Sequence, residues 1–356
     1  MKTVSFLLSL MAFTAGVLPM HADTAPVRDN GRYTNSQLDY STSVSTLLAL
    51  VKEQFTAAPA EPKPTAPLPV AKPDFTLTSA SEPRLFKLGH STVLIELDGQ
   101  WLLTDPVFSE RASPVQWLGP KRFHPVPVAL NALPPITAVV ISHDHYDHLD
   151  RASIEALAES TEYFLVPLGV GEYLRTWGVA AEKIIELDWW QSHAIGSLRL
   201  TATPAQHFSG RGLFDKDSTL WASWAIESQQ AKVFFSGDSG YFSGFKTIGD
   251  RLGPFDITLI ETGAYNHLWE AIHMLPEQSV QAHLDLRGKA MIPIHNSTFD
   301  LALHDWFEPL ERAQAAADAR GVQLVTPIMG EAVSICAPAP SLAWWRALAG
   351  EPLVAL

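Results

Sequence analysis

Ile136-Thr137-Ala138-Val139-Val140-Ile141-Ser142-His143-Asp144-His145-Tyr146-Asp147-His148 runs from an apolar, β-prone stretch straight into four residues of the metal-ligating type, His143, His145, Asp147 and His148. The apolar run is continuous rather than alternating, as in a strand buried on both faces. In extended backbone alternate side chains point the same way, so His143 and His145 can meet one cation, and a turn beyond them lets Asp147 and His148 face a second. Neutral imidazole and carboxylate suit zinc, and a rigid strand end holds such ligands in place.

A two-metal centre needs more ligands than one loop supplies, and the ends of other apolar runs offer them. His207 follows Leu198–Gln206, Asp238 follows Lys232–Gly237, and His295 follows Ala290–Ile294. Taken singly, each also reads as a turn or a hydrogen-bonded structural residue.

The chain around these loops is strand-rich with interspersed helices. Val93–Leu97 and Trp101–Leu103 form a hairpin through Asp98-Gly99, and strands are expected at Tyr163–Val166, Leu198–Thr203, Trp221–Ile226, Val233–Ser236, Ile257–Ile260 and Met291–Ile294. Helices fit Arg151–Glu159 behind an N-cap at Asp150, Pro276–Leu286, and Pro309–Arg320 stopped by Gly321. This is an α/β pattern of stacked sheets flanked by helices.

Composition narrows the chemistry. With 356 residues, 47% hydrophobic and 18% charged, the chain can bury a large core. Acidic residues outnumber basic ones 38 to 25, a net charge of −13, which argues against a protein that coats nucleic acid by charge. The single cysteine, Cys336, excludes an internal disulfide framework, a cysteine-rich zinc finger and an iron–sulfur cluster. Any metal is therefore held by His and carboxylate.

Residues 1–22 combine Lys2, an apolar run over Val4–Val17 and a cleavage signal after Ala22, the pattern of a signal peptide; a periplasmic or secreted protein is expected. Residues 23–74 read as an N-terminal helix over Ser43–Phe55 and a linker or strap with six prolines from Pro59 to Pro73. The compact domain is expected over residues 75–356.

Across Leu85–Ile335 the sequence resembles the metallo-β-lactamase fold and, within it, the N-acyl-phosphatidylethanolamine-hydrolysing phospholipase D type. The resemblance is carried by Gly89-His90-Ser91-Thr92, Leu103-Thr104-Asp105-Pro106-Val107-Phe108-Ser109, the His-x-His-x-Asp-His loop, Leu187-Asp188-Trp189-Trp190, His207-Phe208-Ser209-Gly210-Arg211, Gly237-Asp238-Ser239-Gly240, Gly263-Ala264-Tyr265 and Pro293-Ile294-His295. It implies a four-layer αββα sandwich holding two Zn2+, with His143, His145 and His207 on one, Asp147, His148 and His295 on the other, and Asp238 between them. A metal-bridging hydroxide is then the expected nucleophile, and a lipid or small-molecule phosphodiester the expected substrate, with peripheral membrane contact and no nucleic acid. A serine-type β-lactamase lacks its motifs here, and Cys336 lies outside every ligand segment.

Asp147 and His273 are the expected catalytic residues. His273 precedes the Pro276 helix and matches a histidine near the active site of the phospholipase group; it reads either as a donor to the leaving oxygen or as a helix cap. Asp105 is placed to orient a ligand imidazole, with His90 near it, although a turn aspartate and a loop histidine fit the same pattern. Arg211 and Lys216 sit in a loop that could reach a substrate phosphate or simply face solvent. Trp117, Leu118, Phe123, Val126 and Val128 read as acyl or bilayer contacts if exposed, whereas Trp189 and Trp190 read as core. Two other functions fit the same ligands: a lactonase of this fold, and a non-catalytic metal-binding adaptor.

Overall fold

β1 (Arg84–Lys87), β2 (Val93–Leu97), β3 (Gln100–Thr104), β4 (Ala138–Val140), β5 (Tyr163–Pro167), β6 (Ile184–Leu187) and β14 (Ala332–Ser334) form one seven-stranded sheet in the order β14-β1-β2-β3-β4-β5-β6. β7 (Ser192–Ile195), β8 (Leu198–Thr203), β9 (Ser223–Glu227), β10 (Lys232–Phe235), β11 (Phe255–Glu261), β12 (Gly288–Ile294) and β13 (Gln323–Leu324) form the other, in the order β13-β12-β11-β10-β9-β8-β7. This computed structural model describes residues 24–349 apart from 29, 39, 41–47, 50–51, 54–55, 57–58 and 76–81. The signal segment lies outside the described residues, as does most of the Ser43–Phe55 helix.

Successive residues of the central strands are buried on opposite faces. Ile95, Leu102 and Val140 join Leu200, Trp224, Phe235, Leu259 and Ile292 in the core between the sheets. Their neighbours Leu94, Leu103 and Val139 pack outward under Ile154 and Leu157 of the helix Arg151–Leu157. On the far side Phe234, Ile260 and Met291 pack under the helices Gly244–Leu252, Pro276–Asp285 and Glu308–Arg320. The result is the expected α/β sandwich of four layers, and burial on both faces explains why these strands read as unbroken apolar runs.

Each sheet has a parallel section, β3 to β6 in one and β10 to β13 in the other. A parallel sheet directs the carboxyl ends of its strands the same way, so the loops that follow β4, β10 and β12 can share one edge.

Local differences from the sequence reading have physical causes. The Ile136–Ser142 run keeps ladder geometry only over Ala138–Val140, because Ser142 leaves its own sheet: its carbonyl accepts the Ala222 N–H at 2.9 Å from the opposite one. Asp150 precedes its helix in extended backbone but makes no side-chain cap. Its carboxylate instead accepts from Ser109 and Ser153, fastening the loop after β3. Gly321 ends the helix Glu308–Arg320 at φ +66°, a left-handed position that glycine adopts without a side-chain clash. Strands β1, β6, β7, β13 and β14 and the helix Gly244–Leu252 were not foreseen; most are short or half-polar. The proline-rich strap lies against the sandwich, with Ala71 N–H donating to the Met329 carbonyl at 2.8 Å and Leu68 buried in a cluster with Trp306 and Trp345. Among the described residues no helix is long and apolar enough to cross a membrane.

Candidate metal centre

Ser142 starts the site. Its N–H and hydroxyl donate to the two oxygens of Asp105 at 2.7 and 2.6 Å, which fixes the chain as it turns out of β4. The same carboxylate takes His148 Nδ1 at 2.6 Å, so His148 presents Nε2 to the interior. Asp105 thus orients a ligand-type imidazole, as its position in the sequence suggested. Asp144 points elsewhere, accepting from Gly210 N–H and Thr219 Oγ1 at 2.8 and 3.1 Å.

Gly237 brings the second loop in. It stands at φ +55°, and a Cβ there would lie 2.4 Å from the Ser142 Cβ, so only glycine lets the two loops touch. Asp238 follows directly, with its Oδ2 3.1 Å from His148 Nε2, 3.0 Å from His295 Nε2, and 3.8 Å from both His143 Nε2 and His207 Nε2. His295 follows β12 in left-handed backbone at φ +62°, held there by its N–H donating to the His90 carbonyl at 2.8 Å. His207 turns its Nδ1 to the Ile272 carbonyl at 3.0 Å and its Nε2 inward.

The donors fall into two groups around Asp238. His143 Nε2, His145 Nδ1 and His207 Nε2 converge, with 2.9 Å between the first two and 3.2 Å between the last two. Asp147 Oδ2 stands 3.3 Å from His295 Nε2, 3.6 Å from His148 Nε2 and 3.3 Å from His90 Nε2. Within each group the donor atoms lie within 4.8 Å of one another. The structure thus brings together the two groups of residues that the resemblance implied, and adds His90, expected near Asp105, which faces Asp147 and tilts against the His295 ring with centroids 3.9 Å apart.

The donor set fits metal ions. His148 Nε2, both ring nitrogens of His295 and Asp238 Oδ1 are buried without a hydrogen-bond partner, an arrangement costing about 1–3 kcal/mol per atom unless something binds there. Burial holds His143, His145 and His207 below their ordinary pKa, leaving them neutral and able to coordinate. Burial also opposes the charges of Asp147 and Asp238, but the neighbouring imidazoles, His148 foremost, override it and hold both carboxyls well below the usual range. In return Asp238 and Asp147 outweigh the burial of His148 and His295, raising His148 well above its ordinary value and His295 to about 10. The buried Asp238 and the partly exposed Asp147 therefore concentrate negative charge at this spot, which cationic charge would offset.

A cavity of about 220 Å3 opens beside the centre, lined by the polar His145, Asp147, Asp238, His273 and His295 and by the apolar or aromatic Tyr40, Phe208, Trp269, Ile272 and Leu301. His273, which reads as a catalytic histidine or a helix cap, lines this cavity, and its Nδ1 bonds Glu261 Oε1. Glu261 escaped the sequence reading, which ended the strand at Ile260, although an acidic residue at a strand end is the same signal that revealed Asp238. It is fully buried and takes the Ser239 N–H at 2.6 Å. Burial and the Asp238 charge raise its carboxyl well above the ordinary value, and burial lowers His273 to about 4.

Two expectations change. Arg211 does not reach toward the cavity: it is turned inward, donating to the Leu149 carbonyl at 2.8 Å and stacking 4.0 Å from the Tyr146 ring, so it braces the metal loop from behind. Lys216 donates to the Tyr40 carbonyl at 3.2 Å and lies over the Tyr40 and Phe208 rings, behind the apolar wall. Trp189 is core, as expected, while Trp190 is half-buried under Arg251 at 3.8 Å.

Fold and donor set together define a metal-dependent hydrolase, and the chain belongs to the beta-lactamase superfamily, whose domain matches residues 100–296. It is 47% identical to an uncharacterised protein of Mycobacterium tuberculosis over 84% of this chain and 81% of that one. It is also similar to the N-acyl-phosphatidylethanolamine-hydrolyzing phospholipase D 1 of Caenorhabditis elegans, at 37% identity over 70% of this chain and 76% of the relative. Among solved structures, Igni18, a metallo hydrolase from Ignicoccus hospitalis, shares the fold with a TM-score of 0.54 at 23% identity, covering 71% of this chain and 98% of that one.

Proposed function

We propose that this protein is a zinc-dependent phosphodiesterase that cleaves a phospholipid such as N-acyl phosphatidylethanolamine, releasing phosphatidate and an N-acylethanolamine. The observation that carries the reading is the mixed lining of the cavity, in which the histidine–aspartate centre and His273 share the walls with aromatic and aliphatic side chains. That pairing suits an anionic phosphodiester joined to acyl chains, and the resemblance to the nematode phospholipase supports it.

His143, His145 and His207 would hold one ion and Asp147, His148 and His295 the other, with Asp238 between. Such ions, when bound, supply Lewis acidity and make water a competent nucleophile near neutral pH. The remaining work falls to the chain. Asp105 and the Ile272 carbonyl fix the rings of His148 and His207. Water oxygen adds to phosphorus as the bond to the ethanolamide oxygen breaks, and His273, its Nδ1 held against Glu261, relays through Nε2, to that departing oxygen, the proton that the water loses. Tyr40, Phe208 and Trp269 shield the acyl portion from water.

Contact with a lipid surface belongs to the same proposal. Trp117 and Leu118 are 77% and 61% exposed, and Leu213 and Phe214 are 91% and 87% exposed. Their two loops flank one cleft, lined by Pro114 and Gln116 on one side and Gly212 and Asp215 on the other. The test is hydrolysis of N-acyl phosphatidylethanolamine beside a simple phosphodiester and a lactone, each with and without chelator. Chelator-sensitive release of N-acylethanolamine is expected; turnover of the lactone alone would replace the lipid reading.

A further inference from the structure

The residues ahead of the proline-rich strap lie along the loop that carries His207. Asn35 pairs with His207 as a neighbouring strand would: its Nδ2 donates to the His207 carbonyl at 2.8 Å and its Oδ1 accepts the His207 N–H at 2.9 Å. Trp221 Nε1 donates to the same Oδ1 at 3.1 Å, which fixes the amide's orientation. On either side the contact continues. Tyr33 N–H donates to the Asp217 carbonyl at 2.9 Å, the Leu38 carbonyl accepts Gln206 Nε2 at 2.7 Å, and the Tyr40 ring packs on Phe208 with centroids 5.4 Å apart.

His207 needs such a partner. It lies beyond the end of β8, fully buried, where its backbone N–H and C=O have no ladder to join, and buried backbone groups are normally satisfied. The Ile272 carbonyl sets the ring's rotation, but the position of the ring relative to His143 and His145 depends on the backbone beneath it.

We infer that the N-terminal arm is a working part of the metal centre, in which Asn35 is a positioning residue that holds the backbone of His207 and so sets the three-histidine site. The inference rests on reading that site as a metal site. It assigns a function to a segment that the sequence presents as a mere connector.

The test measures zinc retention by the full chain in competition with a chromophoric chelator, for wild type, Asn35→Ala, Asn35→Asp and Gln37→Ala, with circular dichroism to follow folding. Gln37 belongs to the same arm and meets Ser243 rather than the His207 loop, so its variant measures general loosening of the arm. Asn35→Ala should release one zinc about 10–100-fold more readily, the usual cost of losing a group that orients a ligand. Asn35→Asp keeps the acceptor, loses the donor, and should show a smaller loss; it decides the question if Asn35→Ala fails to fold. Gln37→Ala should retain zinc as wild type does. Wild-type retention matched by the folded Asn35 variants overturns the inference alone, as does an equal loss in Gln37→Ala. A wild-type chain that retains no zinc overturns the metal reading as well.

Discussion

Glu261 Oε1 and His273 Nδ1 are hydrogen-bonded at the edge of the cavity, and both side chains come from segments that end at the metal centre. The bond fixes which ring nitrogen faces substrate. His273→Ala should lower kcat by about 10²–10⁴-fold, the range for losing a positioned acid–base group, while metal content stays near wild type. Glu261→Gln should give a smaller fall in kcat, since an amide can still meet the ring but can no longer exchange a proton with Nδ1. Steady-state kinetics with metal analysis checks this, and an unchanged kcat in His273→Ala would assign the histidine to structure.

Asp105 holds three donors, Ser142 N–H, Ser142 Oγ and His148 Nδ1. Asp105→Asn preserves the shape but presents an N–H₂ to one of them, so His148 is no longer held in one tautomer. Metal affinity should fall about 10–100-fold. Chelator competition reads the change directly.

Gly237 lets the Asp238 loop touch Ser142. In Gly237→Ala the new methyl meets the Ser142 Cβ at 2.4 Å in left-handed backbone, and overpacking plus backbone strain should cost about 2–5 kcal/mol. Denaturant unfolding with and without metal measures it, with the larger loss expected in the metal-loaded protein.

Lys87 is buried with its ammonium on the Pro293 carbonyl at 2.9 Å and Asn296 Oδ1 at 2.8 Å, supporting the chain on both sides of His295. Burial pushes it down to about 7 from 10.5. Between those values the unfolded chain binds a proton that the folded chain does not, so this group makes stability rise with pH from about 7 to 10.5. The full effect is on the order of 5 kcal/mol by linkage. Unfolding of wild type and Lys87→Met across that range should show the wild type gaining on the variant; parallel curves would refute the assignment.

Much of the centre was legible because ligand-type residues stand at the ends of apolar runs, and strand ends are where a parallel sheet gathers its loops. His143, His145, Asp147, His148, His207, Asp238 and His295 all carry that signature. Asp105 and His148 lie 43 residues apart, and only the parallel pairing of β3 with β4 brings their segments together. Glu261 was hidden by a boundary set one residue short. Asn35 could not be read at all, because an isolated asparagine in an irregular segment carries no period, and its role exists only when His207 is beside it. Arg211 was misplaced for a related reason: a basic loop residue looks solvent-facing until the Tyr146 ring and the Leu149 carbonyl are in position behind it.

We propose that this histidine–aspartate centre directs water onto the phosphorus of a lipid phosphodiester. Hydrolysis of N-acyl phosphatidylethanolamine by the metal-loaded protein in ¹⁸O-water, followed by mass spectrometry of both products, tests it most directly. The label should appear in phosphatidate and be absent from the N-acylethanolamine, with turnover abolished by chelator and by Asp238→Ala. Label in the N-acylethanolamine, or turnover that survives loss of metal, would contradict it.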